Sequence, residues 1–246
     1  MTGFFPLLLK EFKTYFLSPI GYIVLTVTVI VNGYIYWLIL NYSNNPFAHQ
    51  GNVFSLFFGG TVLYWLLNLI IIPVITMRTF AEEKSSGTLE LLLTAPVSDV
   101  WVVAAKYLAA LAFFSFLWLT SLVYVVITLV IADMDIGPVV AGYVGTLLVG
   151  MSLCAFGVFF SSLTRNQIIS ATLCFLFIIG LLTLGLSGHL VRDYPVAKVI
   201  DHMDIWRQVE DASRGIIDTR MVVFHLSLAG LGVLCSLMVL RAGRMA

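Results

Sequence analysis

Charge is what this sequence has least of. Asp, Glu, Lys and Arg make up 11% of its 246 residues, against about 25% in an ordinary soluble domain. Apolar residues reach 60% and mean hydropathy is +1.02. So little charge cannot coat a soluble surface of this size, which excludes a water-soluble globular enzyme, a disordered chain and a small secreted disulfide scaffold. Thirteen basic residues balance thirteen acidic ones, so no basic stripe points to nucleic acid. The three cysteines, Cys154, Cys174 and Cys235, form no C-x-x-C pair and fall in apolar runs, where they read as small packing residues.

Other absences narrow the function. No G-x-x-x-x-G-K-[ST] loop is present, so the chain has no P-loop of its own for ATP. No H-E-x-x-H occurs, the histidines are scattered, and no catalytic constellation is expected. The apolar runs carry essentially no intramembrane acid or base of the sort that marks proton pumps and ion-coupled transporters. His189 and His225 read as interfacial or packed histidines. Neither a basic voltage-sensing helix nor a T-V-G-Y-G filter appears. In the Asp201-His202 and Asp204 group a fourth ligand is missing, so no metal site is assigned.

What remains is long apolar runs. Between Lys13 and Arg78 there is no charged residue, and this stretch is divided by the polar, turn-rich segment Asn41–Asn52. Further charge-free runs are Tyr107–Ala132, Ile136–Thr164, Asn166–Val191 and Met221–Leu240. Each exceeds the roughly 20 helical residues that cross a bilayer, and lipid forces such segments to be helical. The sequence therefore predicts an all-α polytopic membrane protein with six transmembrane helices, at about 19–40, 53–76, 107–132, 137–162, 167–190 and 221–240. The N-terminal span is expected to be retained, because Glu11 interrupts any signal-like basic region and no small-x-small site follows.

Lys10, Lys13, Arg78, Lys84, Lys106, Arg165, Arg241 and Arg244 fall on one side of such a bundle, and the first two loops on the other side hold no Lys or Arg. The positive-inside rule then puts both termini in the cytoplasm. The last outer loop, about 191–220, opposes this with Arg192, Lys198, Arg207, Arg214 and Arg220, diluted by six interleaved acids.

Two segments are amphipathic. In 3–17, Phe5, Leu8, Leu9, Phe12 and Phe16 recur opposite Lys10, Glu11 and Lys13, which predicts a helix lying in the headgroup plane. In the last outer loop Val199, Met203, Trp206 and Val209 share a face, so a short external helix is expected there, with Trp206 as a contact group. Glycines crowd span four (Gly137, Gly142, Gly145, Gly150, Gly157), as close helix packing requires. Asn32 and Asn68 are the most polar mid-span groups, and Pro73 is expected to kink span two.

The segment after span two, Met77-Arg-Thr-Phe-Ala-Glu-Glu-Lys-Ser-Ser-Gly-Thr-Leu-Glu-Leu-Leu-Leu-Thr-Ala-Pro-Val-Ser98, has a different character. Arg78–Lys84 continues the span out of the membrane with charges, and Ser85-Ser-Gly87 breaks it. Thr88 caps a new apolar turn with Glu90 at its start, and Pro96 ends it. On physical grounds this is either a docking surface or an ordinary solvated loop.

This segment resembles the signature of the ABC-2 type permeases, the membrane subunits of a class of ABC transporters. It is most similar to the gliding-motility (GldF-like) branch. Lys10-Glu-Phe-x-x-Tyr-Phe-x-Ser-Pro-Ile-Gly-Tyr22, Ser161-Ser-Leu-Thr-Arg-Asn-Gln167 and Ser213-Arg-Gly-Ile-Ile-Asp-Thr-Arg220 carry the resemblance along the chain. It implies six spans, an amphipathic N-terminal connecting helix and a coupling helix within 79–96. By position, Arg78, Glu82 and Glu83 would face an ATPase; Gly87, Thr88, Leu89, Glu90 and Leu91 would enter its groove, and Pro96 would mark the return. Spans two and five would flank a pathway, to which Asn68 and Thr172 are assigned. The implied partners are a pair of ABC ATPase subunits, which would hold the ATP and Mg, a second permease half, identical or related, and an auxiliary membrane or periplasmic protein. The implied setting is the bacterial cytoplasmic membrane. The expected function is the permease subunit of such a complex, moving an unidentified substrate whose character the uncharged spans make apolar or amphiphilic. The alternatives are an ATP-driven mechanical or signalling complex without net transport, and a membrane scaffold with no ATPase.

Overall fold

The computed structural model describes residues 4–43, 53–59, 61–89, 97–131, 134–187 and 202–245. Among these there is no strand. The helices are α1 (Phe4–Leu17), α2 (Pro19–Ser43), α3 (Val53–Phe57), α4 (Val62–Thr76), α5 (Arg78–Ser86), α6 (Asp99–Leu119), α7 (Leu122–Ile131), α8 (Ile136–Leu163), α9 (Gln167–Ser187), α10 (Ile205–Ser213) and α11 (Thr219–Met245). Six stretches are long and apolar enough to cross a membrane: α2, α4 with α5, α6 with α7, α8, α9 and α11. The chain is an all-α, multi-pass membrane protein.

α8 is the axis of the bundle. Of its most apolar stretch 72% is buried, against 28% for α2, 28% for α9 and 22% for α11. Small residues let its neighbours close in: a β-carbon at Gly150 would stand 2.1 Å from the Phe114 ring, and one at Gly157 would stand 2.2 Å from Thr76 Oγ1. Without a hydrophobic drive between helices in lipid, such close approach is the main source of packing energy. One polar contact also crosses the interior, from Ser152 of α8 to His225 Nδ1 of α11 at 2.8 Å. The outer helices turn large apolar groups outward, among them Ile23, Ile30 and Trp37 on α2 and Ile168 and Leu176 on α9, as a lipid or partner surface requires.

Two spans are interrupted for local reasons. The stretch expected to run as one helix from residue 53 is two: α3 ends at Phe57, and Thr61 is extended (φ −125°, ψ 142°) before α4 begins. Phe54, Phe57 and Phe58 then fold into an aromatic cluster with Trp118, Tyr124 and Tyr143. The third span breaks at Thr120–Ser121, where both hydroxyls take carbonyls of the preceding turn, Leu117 and Trp118, at 2.6 Å each. Such back-bonding competes with the helical ladder.

A second, smaller core lies at the end of the bundle that carries α1 and α5. Leu7, Phe80, Val102, Val103, Val158 and Leu240 form it, from α1, α5, α6, α8 and α11, and Leu89 packs on its edge. Here five elements meet in one packed unit.

Candidate functional site: the charged end of the bundle

α4 and α5 run on as one rod apart from a turn at Met77, whose N–H still bonds the Pro73 carbonyl at 2.9 Å. The break falls one turn beyond Pro73, where the sequence changes from Ile-Thr-Met to Arg-Thr-Phe-Ala-Glu-Glu-Lys. α5 is therefore the charged continuation of a span. It buries Thr79, Phe80 and Ala81 and leaves its far end exposed.

Four groups of contacts fix it. Ser161 Oγ of α8 accepts the N–H groups of Phe80 and Ala81 at 3.0 and 3.1 Å and donates to the Met77 carbonyl at 2.9 Å. One hydroxyl thus satisfies backbone groups that the turn frees. Next to it, Lys84 Nζ donates to the Ser162 carbonyl at the end of α8. On the opposite side Arg78 forms a fork with Glu82, at 2.7 and 3.0 Å, and gives a third N–H to Ser18 Oγ at 2.5 Å. Deepest is Lys106 of α6, whose side chain is 1% exposed; it bridges Glu83 of α5 at 2.8 Å and Glu11 of α1 at 3.2 Å, over the Phe80 ring. Tyr15 of α1 adds a hydrogen bond to the Ile75 carbonyl at 3.0 Å. Burial pushes its phenol far above the usual range, so it acts as a neutral donor.

α1, α5, α6 and α8 are therefore tied together by the Glu11–Lys106–Glu83 triad, by Lys84 and by several hydroxyls. Arg78, Glu82 and Glu83 all belong to this network. Gly87 ends α5 in the left-handed conformation (φ +73°), and Ser86 Oγ lies 2.9 Å from Thr88 Oγ1 across the turn. Thr88 is exposed, while Leu89 rests on the small core. Glu90, Leu91 and Pro96 lie outside the described residues.

The pathway pair is not brought together. Asn68 is fully buried inside this chain's own bundle and donates to the Tyr64 carbonyl of its own helix, whereas Thr172 is exposed on α9 and bonds back to Ile168. The bond from α4 across to α8 is made by Tyr64, to Thr146 at 3.1 Å. Trp206 of α10 stacks on Trp65 at 5.6 Å, so it is engaged within the chain. α10 itself packs on α8, α9 and α3 and buries Ile205, Val209 and Ala212.

Sequence reasoning passed over Glu11, Tyr15, Ser18, Lys106, Ser161 and Ser162. The signals were present. Lys106 is the single charge between Asp99 and Asp133, and an ionisable group inside a span calls for a partner. The other five stand in the two flanking motifs, whose polar residues gain a purpose only once α5 is seen between them. Replacing Ser161 by alanine is expected to cost about 1–3 kcal/mol by orphaning buried backbone groups, read as a lower unfolding temperature in detergent. Replacing the exposed Ser85 should change little.

A family model described as "ABC-2 family transporter protein" matches residues 14–199, most of the chain. No curated protein matches it.

Proposed function

The chain belongs to the ABC-2 family of transporter proteins, and from that membership we propose that it is the permease subunit in which α5 and the segment after it form the coupling element for a separate ATPase. One observation carries the reading: α5 is bound to α1, α6 and α8 at its base and exposed at its tip. A push on Thr88 and Leu89 would move three other helices with it, rather than a flexible loop. Glu82 and Glu83 are occupied at the base, so in this reading they transmit the push. Gly87 to Leu91 would receive it, and Pro96 would mark the return toward the third span.

The membrane subunit holds no nucleotide site of its own, and the ATP and Mg would sit in a pair of partner ATPase subunits. Two permease halves, identical or related, would then pair through outward apolar faces such as that of α9, enclosing a path neither encloses alone, with Thr172 on that face. The charged end would be cytoplasmic, with both termini inside, in a bacterial cytoplasmic membrane. ATP-driven approach of the ATPases would shift the halves between two arrangements and hydrolysis would reset them. The few charges in the spans favour an apolar or amphiphilic cargo. The gliding-motility branch rests on the motif wording alone.

The test is the double variant Glu82→Ala with Glu90→Ala, in complex with its ATPase. Assembly should persist or weaken, and ATPase stimulation should fall at least several-fold; full stimulation in an intact complex would end the coupling assignment. A second reading, force or signalling toward periplasmic partners, draws on the compact α10 at the opposite end. Reconstituted vesicles separate the two, since only a transporter accumulates or loses a solute on ATP addition.

A further inference from the structure

A pocket of about 240 Å³ lies where α5, α8 and α11 end together. Two charged side chains line it, Lys84 of α5 and Arg165 of the link between α8 and α9, and both are cations. They are near enough that the Arg165 charge acts on the Lys84 ammonium. The acids closest to Lys84 in the chain are committed elsewhere, Glu82 to Arg78 and Glu83 to Lys106. Lys84 gives one N–H to a neutral carbonyl, that of Ser162, and keeps two to donate. Arg165 makes no hydrogen bond or ion pair with any described residue. Two positive charges therefore share one pocket, and no carboxylate lines it among the described residues. Like charges held together off the open surface call for an anion between them.

The remaining walls define the rest of the ligand. Leu89, Leu163, Val239 and Leu240 make them apolar. Leu163, the last residue of α8, is exposed, as are Ile168 and Ile169 in the first turn of α9. The pocket thus sits where the apolar spans give way to charge, with cations inside and an apolar rim. A soluble anion gains nothing from that rim, whereas an acidic lipid uses both. The volume is below the roughly 300–1,000 Å³ of sites that enclose whole drug-sized molecules, so it suits a headgroup whose chains stay outside. Basic pockets between the ends of spans are general receptors for acidic lipid headgroups. We propose that this pocket binds the headgroup phosphate of an anionic phospholipid between Lys84 and Arg165, with its chains over Leu163. The lipid would bridge the ends of α5, α8 and α11. The proposal goes beyond the permease reading and does not depend on it.

The discriminating feature is net charge. Phosphatidylcholine offers the same phosphate and chains but cancels the charge within its own headgroup. The full chain, without any ATPase, is placed in nanodiscs of phosphatidylcholine with increasing phosphatidylglycerol, and retained lipid is counted by native mass spectrometry. The expected result is one retained phosphatidylglycerol, preferred by about tenfold, the effect of one charge-assisted hydrogen bond. Arg165→Gln should bring the preference down to about twofold or less. Gly243 supplies a variant that leaves every charge in place: it lines the pocket, and a β-carbon on it meets nothing within 4 Å. Gly243→Phe should fill the space and lower retention of the lipid. Arg241→Gln removes the same charge from an exposed position outside the lining and should leave the preference intact. Equal loss with Arg241→Gln would trace the preference to the overall positive surface and overturn the site. In a second arm glycerol 3-phosphate is offered in solution. Failure to displace the lipid supports the membrane as the source; displacement at concentrations matching the lipid assigns the pocket to a soluble phosphate and overturns the proposal. Equal retention of the two lipids overturns it as well, leaving the cations for an acidic protein partner, and so does a preference that survives both Arg165→Gln and Gly243→Phe.

Discussion

Replacing Lys106 by methionine is expected to destabilise the protein by about 3–5 kcal/mol, the largest effect of any single polar change at the charged end. Lys106 is 1% exposed and the two carboxylates it serves are 13% and 19% exposed. Removing the cation leaves Glu11 and Glu83 facing each other with little water to screen them. Deleting one partner of a buried pair costs far more than the pair contributes in sum, because the survivor keeps its desolvation penalty. The same reasoning predicts a rescue. The triple variant Glu11→Gln, Glu83→Gln, Lys106→Met removes every charge and should recover most of the loss. The measurement is the unfolding midpoint in detergent, expected to fall by roughly 10 °C for the single variant. A shift no larger than that of an ordinary surface substitution, about 0.5 kcal/mol, would show that the triad does not hold the elements together.

The second large effect is expected at the elbow between α1 and α2. A β-carbon on Gly21 would stand 1.9 Å from the carbonyl oxygen of Tyr15 and 3.0 Å from its carbon. That neighbour is backbone, so no rotamer change relieves the clash, and α1 must swing away. The anchors it would lose are specific: Leu7 in the small core, the Phe4–Trp101 contact at 4.8 Å, and the Tyr15–Phe113 stack at 4.9 Å. Gly21→Ala should therefore cost at least the 1–3 kcal/mol typical of overpacking. Release of α1 is read independently by maleimide labelling of Leu7→Cys, slow in the parent and fast when Gly21→Ala is added. Gly230→Ala is the control: a β-carbon there meets nothing within 4 Å, and the change should be neutral or slightly stabilising.

The all-α class and the six spans were legible in the sequence, because lipid accepts little else from long runs without charge. Breaks within spans were not. Phe54 to Phe58 are as apolar as a membrane helix, and only the glycines at 59 and 60 hint in the sequence at the interruption, which the structure shows as a turn at Phe58–Gly59. Hydropathy averages over such a turn. Thr120 and Ser121 end a helix by where their hydroxyls point, which residue type alone does not fix. In the site, the charged rod after Met77 was visible as a switch from apolar to charged residues. What braces it was not, since Glu11, Lys106 and Ser161 are separated from it by tens of residues and meet only after α1, α6 and α8 have packed. Trp206, expected from the sequence as an external contact group, stacks on Trp65 within the chain and stays half-buried, a pairing that residue type alone does not reveal.

The burial of α8 has a consequence for biogenesis. Membrane chains are synthesised from the N-terminus, and α8 enters the bilayer while its most extensive neighbour, α11, is still unmade. The Ala155 face on which Gly232 of α11 closes, and the Ser152 hydroxyl that meets His225, must then wait for the final span. A nascent chain halted before residue 219 is left with that seam open, a natural target for insertion chaperones and intramembrane quality control, so maturation of this protein hinges on its last helix.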